Sequence, residues 1–399
     1  MSQARPGGEL RVGVVGLGWM GRLHSRSLLR LPFHYPDLPL TARLVAYADP
    51  ADDPATIAAG RALGFADRHR DWSDLVTRDD LDLVCVTGPN ATHRDVAVAA
   101  ARNGKHVWVE KPAGRSSSET REIAEAVAAS GVQSAAGFNY RNAPAVEHAR
   151  ALVADGRLGR VEHSSVRFSS DYSAHPDGAL TWRFRNELAG SGVLGDLVSH
   201  AADLLRYVVA DVREVVADTA IFIAARPEPS SATASHFSRG ANDGARLPVE
   251  NEDYVSALLR LADGSRAILE SSRTEVGDQC AYRIEVHGTE GALAWDYRRM
   301  GELRTCLDQD YQDAAWSSLL VGPGMGELAA FQPGSGNAMS FDDLKVIEAA
   351  RLVTSIASGV PVGATIHDAL VAARTVDALR ASASEGRWTA VEDTGGSDG

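Results

Sequence analysis

Leu10-Arg11-Val12-Gly13-Val14-Val15-Gly16-Leu17-Gly18-Trp19-Met20-Gly21 is the stretch that decides the fold. An apolar run that reads as a buried strand passes directly into glycines spaced Gly-x-Gly-x-x-Gly, and the amphipathic stretch Met20–Arg30 follows. In that setting the first glycine permits a tight turn and the second lets main chain approach a pyrophosphate. The third lets helix and strand pack closely, with the helix N-terminus facing the anion. Alone the hexapeptide is a weak signal and could be only a tight turn; the strand before it and the helix after it give it weight. Gly16, Gly18, Trp19, Met20 and Gly21 are therefore expected to hold a dinucleotide. Asp49 ends the next apolar run, Arg43–Ala48, later than the usual ~20 residues after the glycines. The Pro-rich piece Leu31–Leu40, read as a surface insertion, accounts for the delay. A carboxylate there accepts both adenosine-ribose hydroxyls and repels a 2′-phosphate, and Pro50-Ala51-Asp52-Asp53 offers no Arg or Lys to hold one. NAD is expected over NADP, unless Asp49 merely caps a turn.

Outward from this motif, further apolar runs at Leu83–Thr87, His106–Glu110 and Gln133–Phe138 alternate with helical patterns at Pro54–Leu63, His93–Asn103 and Ser117–Ser130. Such alternation implies crossover units and a parallel sheet covered on both faces, a doubly wound Rossmann α/β domain over 1–139. The rhythm changes near residue 140. Pro144 suits the first position of a helix to about Ala154. Tyr282–His287 alternates apolar and polar residues, and Leu258–Leu261 and Ser265–Glu270 flank the hairpin signal Asp263-Gly264. These predict a C-terminal α+β domain, 140–399, with a large, mostly antiparallel open sheet. Arg226–Pro248 and Asp308–Met339 read as loops, Asp342–Ser358 and His367–Ser384 as closing helices, and 394–399 as a disordered tail.

Composition narrows the function classes. The 399 residues, 44% hydrophobic and 23% charged, suit an ordinary globular protein of two or three domains. Lys+Arg 40 against Asp+Glu 53 leaves a formal charge of −13, which repels a phosphate backbone, and no basic patch offsets it, so nucleic acid is not an expected partner. Cys85, Cys280 and Cys306 form neither a disulfide framework nor a zinc pattern, and no metal is expected. No apolar run approaches the ~18 residues of a membrane span, and the N-terminus lacks the apolar core of a signal peptide. The expected location is the cytoplasm.

Two segments carry candidate chemistry. Glu110-Lys111-Pro112 ends a strand run at the sheet edge where doubly wound folds bind ligands, so Lys111 could bond a substrate oxygen; alone it could equally be a solvated lysine. Gly190, Gly192 and Gly195 lead into a helix beginning near Asp196. At 100° per residue Asp196, His200, Asp203 and Tyr207 share one stripe, while Leu197, Ala201, Leu204, Leu205 and Val208 fill a separate, buried arc. Spacing leaves three readings open: a catalytic pair, an N-cap with a satisfied histidine, or two metal ligands. Asp171 and His175 share the spacing, but Pro176-Asp177-Gly178 points to a loop.

These parts, with Thr87-Gly88-Pro89-Asn90-Ala91-Thr92-His93, Gly137–Arg141 and Trp182-Arg183, resemble in combination and order the Gfo/Idh/MocA oxidoreductases over nearly the whole chain. The sugar and polyol dehydrogenases of that family, the levoglucosan dehydrogenases among them, share the Tyr140–Pro144 and Thr181–Phe184 context. The resemblance implies a Lys111-Asp196-His200 set. His200 takes a hydroxyl proton, Lys111 stabilises the charge developing on that oxygen, and Asp196 orients Lys111 and the substrate. It places Pro89, Asn90 and His93 along the nicotinamide and Glu110 near its ribose, with Thr87 a further cofactor-binding candidate. Tyr140, Arg141, Asp171, Tyr172 and Arg183 join Lys111, Asp196 and His200 as substrate-binding candidates. Gly88 departs from the larger residue the family often carries. The implied activity is NAD-dependent oxidation of a secondary hydroxyl of a sugar, anhydrosugar or cyclitol by a homodimer or homotetramer paired through the C-terminal sheet. An NAD-using glycosidase and a non-catalytic cofactor sensor are the rival readings.

Overall fold

A computed structural model of the chain describes residues 8–230, 237–241, 244–307 and 311–392; the tail expected to be disordered, 394–399, lies outside them. The chain forms two compact units, Met1–Asn139 with Ser340–Leu370, and Tyr140–Met339 with Val371–Gly399. The division expected from sequence, 1–139 and 140–399, left Ser340–Leu370 with the second domain; by contacts these residues group with the first.

The first unit alternates β1 (Gly8–Val15), α1 (Trp19–His34), β2 (Leu40–Ala48), α2 (Pro54–Ala62), β3 (Asp67–His69), α3 (Trp72–Val76), β4 (Leu83–Val86), α4 (Asn90–Arg102), β5 (His106–Val109), α5 (Ser117–Ser130) and β6 (Ser134–Ala136). Its sheet runs β3-β2-β1-β4-β5-β6 with every pairing parallel, the doubly wound order. Val12, Val14, Leu83, Val84, Val86, Val107 and Val109 are buried, which is why these strands read as unbroken apolar runs. β3, Asp-Arg-His at the sheet edge, carries no such signal. α1 continues through Pro32 to His34, so Leu31–His34 is its last turn rather than part of an insertion. A proline there removes a single helix donor, and the turn still closes through Tyr35 N to Leu31 O at 2.8 Å.

The second unit carries α6 (Pro144–Ala154), β7 (Val161–Ser169), α7 (Asn186–Ala189), α8 (Ser199–Val208), β8 (Val212–Ala220), β9 (Ala225–Pro227), β10 (Arg246–Pro248), β11 (Tyr254–Leu261), β12 (Arg266–Ser272), β13 (Ala281–Gly288), β14 (Gly291–Asp296), β15 (Glu302–Leu307) and β16 (Ser317–Leu320). Then α9 (Phe341–Ser358) returns to the first unit, and α10 (Ile366–Glu385), whose residues up to Leu370 group there too, leads to β17 (Thr389–Ala390). The large sheet runs β16-β15-β14-β13-β7-β12-β11-β8-β17, antiparallel except at β7–β12. Val255, Ala257, Leu259 and Leu261 of β11 are buried, while Leu258 and its cross-strand partner Ile268 are 52% and 53% exposed. One face is thus packed and the other open. The β11–β12 turn holds Gly264 at φ +91°, with Asp263 accepting from Ser265 N and Oγ. The stretches read as loops contain the short strands β9, β10 and β16. Among the described residues no helix is long and apolar enough to cross a membrane.

Candidate active site

In the first unit the glycines divide by what demands them. Gly16 has φ +87°, and a Cβ there would lie 2.7 Å from Gly88 Cα; one on Gly21 would lie 2.0 Å from Gly16 O. Both requirements are internal to the fold. A Cβ on Gly18 would meet nothing within 4 Å. Gly18 precedes α1, where no side chain caps the helix and no acid stands in its first turn. The N–H groups of that end therefore keep their capacity for an anion, and the open space over Gly18 lets one approach. Asp49, just past β2, is tied to the same turn: Oδ2 accepts from Leu17 N at 2.7 Å and Oδ1 from Ala51 N at 2.8 Å. It does cap a turn, yet each carboxylate oxygen has a second lone pair for a ribose diol. Together these residues fit a dinucleotide. Sequence reading missed Arg68, which donates to Ala51 O and to Asp52 beside this loop, as Arg70 also pairs with Asp52. Both lie distant in sequence from Asp49, on or just after β3.

The remaining cofactor candidates take more varied positions. Thr87 Oγ1 donates to Val15 O and Gly16 O at 2.9 and 2.7 Å, holding the glycine turn from behind. Gly88 lies against Gly16, and its own Cβ would come 2.8 Å from Thr92 Oγ1, so the departure at 88 lets two turns approach each other. Pro89 precedes α4, whose first residue Asn90 is buried. His93 is also buried, with Nδ1 2.9 Å from Pro112 O and Nε2 2.9 Å from Gly88 O. Both ring nitrogens face main-chain carbonyls, so His93 braces the loops rather than offering a nitrogen to a cofactor. Trp19 is 62% exposed and stacks on Phe341, ring centroids 5.7 Å apart. Met20 is half-buried.

Glu110 turns inward. Its Oε1 lies 2.6 Å from Lys345 Nζ and 2.8 Å from His24 Nε2, and its Oε2 lies 3.3 Å from the main-chain N of Lys111. Burial alone would push this carboxyl up; Lys345, then His24, hold it well below the usual carboxylate range. His24 is lowered as well, down to about 4, mainly by burial. Lys111 itself is half-buried. Among the described residues, His24, Glu110 and Glu348 have ligand atoms within 4.8 Å of one another, but the Lys345 ammonium is bonded to both carboxylates.

In the second unit the helix expected to begin near Asp196 opens with a wider π turn, Leu194–Val198, before α8. The Gly195 carbonyl there accepts from Ser199 Oγ at 2.7 Å. Glu252, missed from sequence, accepts from Gly192 N and Leu194 N at 2.8 and 3.0 Å and so caps this end remotely. A Cβ on Gly192 would strike Glu252 O at 2.1 Å. Asp196 is half-buried, and its Oδ2 accepts from Tyr172 OH at 2.6 Å. Burial and the Asp196 charge push the Tyr172 phenol well up, so it stays a donor. His200 is buried, edge-on to Tyr140 with centroids 4.8 Å apart, and its carbonyl accepts from Tyr282 OH at 2.6 Å.

The predicted polar stripe breaks below His200. Asp203 is buried and holds Arg141 through both carboxylate oxygens, with Arg141 Nε to Oδ2 at 2.7 Å and a second contact to Oδ1. The guanidinium lies over the Tyr207 ring. This places Arg141, read from sequence as a substrate-binding candidate, in a buried ion pair with Asp203. Asp171 accepts from Gln279 Nε2 at 2.9 Å, and Arg183 lies over the Trp182 ring at 4.4 Å.

Residues 10–138 match the family described as oxidoreductase, NAD-binding Rossmann fold, and residues 146–294 match the GFO/IDH/MocA C-terminal domain. Levoglucosan dehydrogenase of Pseudarthrobacter phenanthrenivorans is 31% identical over 387 residues, covering 96% of this chain and 98% of that one. Inositol 2-dehydrogenase of Rhizobium meliloti is 29% identical over 304 residues, covering 76% and 80%. A solved levoglucosan dehydrogenase in complex with NADH and L-sorbose superposes with a TM-score of 0.89 at 30% identity, covering 96% of this chain and 99% of that one.

Proposed function

The chain belongs to the GFO/IDH/MocA family and is an NAD-binding oxidoreductase of the sugar and cyclitol dehydrogenase type, and from that premise we propose that it oxidises one secondary hydroxyl of a sugar, anhydrosugar or cyclitol. The observation that carries the reading is the uncapped N-terminus of α1 under an open Gly18, with Asp49 fixed beside it: a seat for a pyrophosphate next to a ribose acceptor. Bound there, NAD supplies the acceptor for the carbinol hydride. His200 removes the hydroxyl proton, and Lys111 bonds the same oxygen as its charge develops. Asp196 orients these groups and is itself held in rotamer by the Tyr172 hydroxyl. Asp171 and Arg183 bind substrate hydroxyls, and Tyr140 shapes the pocket through its ring.

The proposal extends to assembly: the open sheet face with Leu258 and Ile268 pairs with its copy in a homodimer or homotetramer, which sedimentation tests. The location proposed is the cytoplasm. The reaction is tested by following reduced cofactor by absorbance with a panel of inositols, aldoses and levoglucosan, with NAD and with NADP. Steady release of reduced cofactor with a free sugar supports the dehydrogenase and excludes a glycosidase that regenerates its cofactor. Lys111→Ala and His200→Ala are expected to lower kcat by ~10²–10⁴-fold; turnover within a few fold of wild type refutes their roles.

A further inference from the structure

Beneath the Glu110-Lys111-Pro112 turn the first unit buries an ammonium, two carboxyls and an imidazole in one hydrogen-bonded group. Lys345 Nζ reaches Glu110 Oε1 at 2.6 Å and Glu348 Oε1 at 2.9 Å. Trp108 Nε1 donates to Glu348 Oε1 at 2.7 Å, and the His24 ring stacks on Trp108 with centroids 3.7 Å apart. The group ties three elements together: α1 through His24, the end of β5 through Trp108 and Glu110, and α9 through Lys345 and Glu348.

Stability does not account for it. Taking such groups out of water is costly, and an apolar filling of equal volume is often as stable or more so. What the ionic group supplies is direction. Glu110 Oε1 is gripped by two donors, and its other oxygen lies 3.3 Å from Lys111 N. Gly137 leaves the room this needs, since a Cβ there would come 2.6 Å from Glu110 Oε2. The carboxylate thus cannot rotate without breaking bonds on one side or meeting main chain on the other.

We propose that Lys345 and His24 are positioning residues for Lys111: by pinning Glu110 they fix the main chain from which the Lys111 side chain is presented to substrate. The inference rests on the role given to Lys111 above. It adds residues from both ends of the chain that touch neither substrate nor cofactor. The charge states agree with it. Burial keeps His24 neutral, so Nε2 donates and Nδ1, which has no hydrogen-bond partner among the described residues, carries no proton. Burial alone would lower Lys345, but Glu110 and Glu348 raise it, so it stays an ammonium.

The test uses the full chain with Lys345→Met, which keeps an unbranched apolar stem and removes the ammonium. Three quantities are read per folded molecule: kcat, NADH affinity by fluorescence, and the acetylation rate of Lys111 by N-hydroxysuccinimidyl acetate, mapped by peptide mass spectrometry. Displacing a catalytic group slightly is expected to lower kcat by ~100-fold, with NADH affinity changed by less than about threefold and Lys111 acetylation altered severalfold. Should this variant not fold, His24→Phe, which retains the stack on Trp108, reads the same arm with a loss in kcat of about tenfold. A folded variant with wild-type kcat and wild-type Lys111 acetylation overturns the proposal. Altered acetylation in a chain whose wild type turns over none of the hydroxyl compounds supports the positioning role and overturns the proposed reaction instead.

Discussion

Replacing Gly18 or Gly21 by alanine separates what a dinucleotide demands of the glycine turn from what the fold demands. The Gly18 backbone is extended, φ −71° and ψ −159°, and a Cβ there touches nothing within 4 Å. Alanine therefore fits the chain, at a cost of ~0.5–1 kcal/mol for a poorer N-cap, or about 1 °C in melting temperature for a chain of 399 residues. The methyl group projects into the space over the bare N–H groups of α1. If it moves the pyrophosphate off one of them, the loss is that of a charge-assisted hydrogen bond, ~1.5–3 kcal/mol, which is ~10–150-fold in Kd. Gly21→Ala behaves oppositely. Its Cβ would start 2.0 Å from Gly16 O, far inside contact, and the obstacle is main chain rather than a side chain that can swing away. Overpacking of that kind costs ~1–3 kcal/mol or more, or ~1–4 °C for a chain of 399 residues, before any cofactor is added. Thermal melts without cofactor and NADH titration by fluorescence read the two effects separately. Wild-type NADH affinity in Gly18→Ala, or a wild-type melt in Gly21→Ala, would refute the division of roles.

Asp49→Ser removes the carboxylate that excludes a 2′-phosphate while Arg68 and Arg70 remain beside the loop, so the kcat/KM ratio of NADP to NAD should rise by at least about tenfold; an unchanged ratio means that Asp49 is only a turn cap. Asp203→Ala strands the Arg141 guanidinium in the core, an expected loss of ~3–5 kcal/mol, and a melt within a degree or so of wild type would return Arg141 to the solvent. Glu348→Gln has a signed pH signature. Burial pushes Glu348 up to about 7 from 4.5, so between those values the folded state holds a proton that the unfolded chain has released. The stability this gives is complete below the unfolded pKa and is lost as pH rises through the folded one. Glutamine is neutral throughout, so the melting advantage of Glu348→Gln over wild type should grow from about pH 5 to about pH 7.5, approaching ~3 kcal/mol at the top. A difference that does not move with pH shows the carboxyl to be ionised across the range.

The parallel sheet was legible because strands buried on both faces must be apolar throughout, and the Gly16–Gly21 spacing was legible because its demands are local. β3 escaped because an edge strand of three polar residues need not be apolar. The Glu110 group escaped for a different reason. Lys345 and Glu348, three apart on a helix, look like an ordinary surface pair, and nothing nearby in sequence shows that Trp108, 240 residues away, meets Glu348. Helical periodicity placed Asp196, His200 and Asp203 on one stripe but could not show that a π turn intervenes or that Asp203 faces an arginine from another segment. Tyr172 and Asp171 were equivalent candidates by position; only the fold shows that the first holds Asp196 and the second meets Gln279.

The return of α9 to the first unit has a consequence for synthesis. Glu110 and Lys345 are separated by 235 residues, so at ribosomal speeds of ~5–20 residues per second the ammonium follows the carboxylate by ~10–50 s. During that interval the nascent sheet has a carboxylate and, at Trp108, an indole N–H awaiting partners not yet made. Its final closure belongs to the end of translation. For the same reason, a gene fragment stopped at residue 139 to isolate the nucleotide-binding portion would encode a sheet without the counter-charge for Glu110.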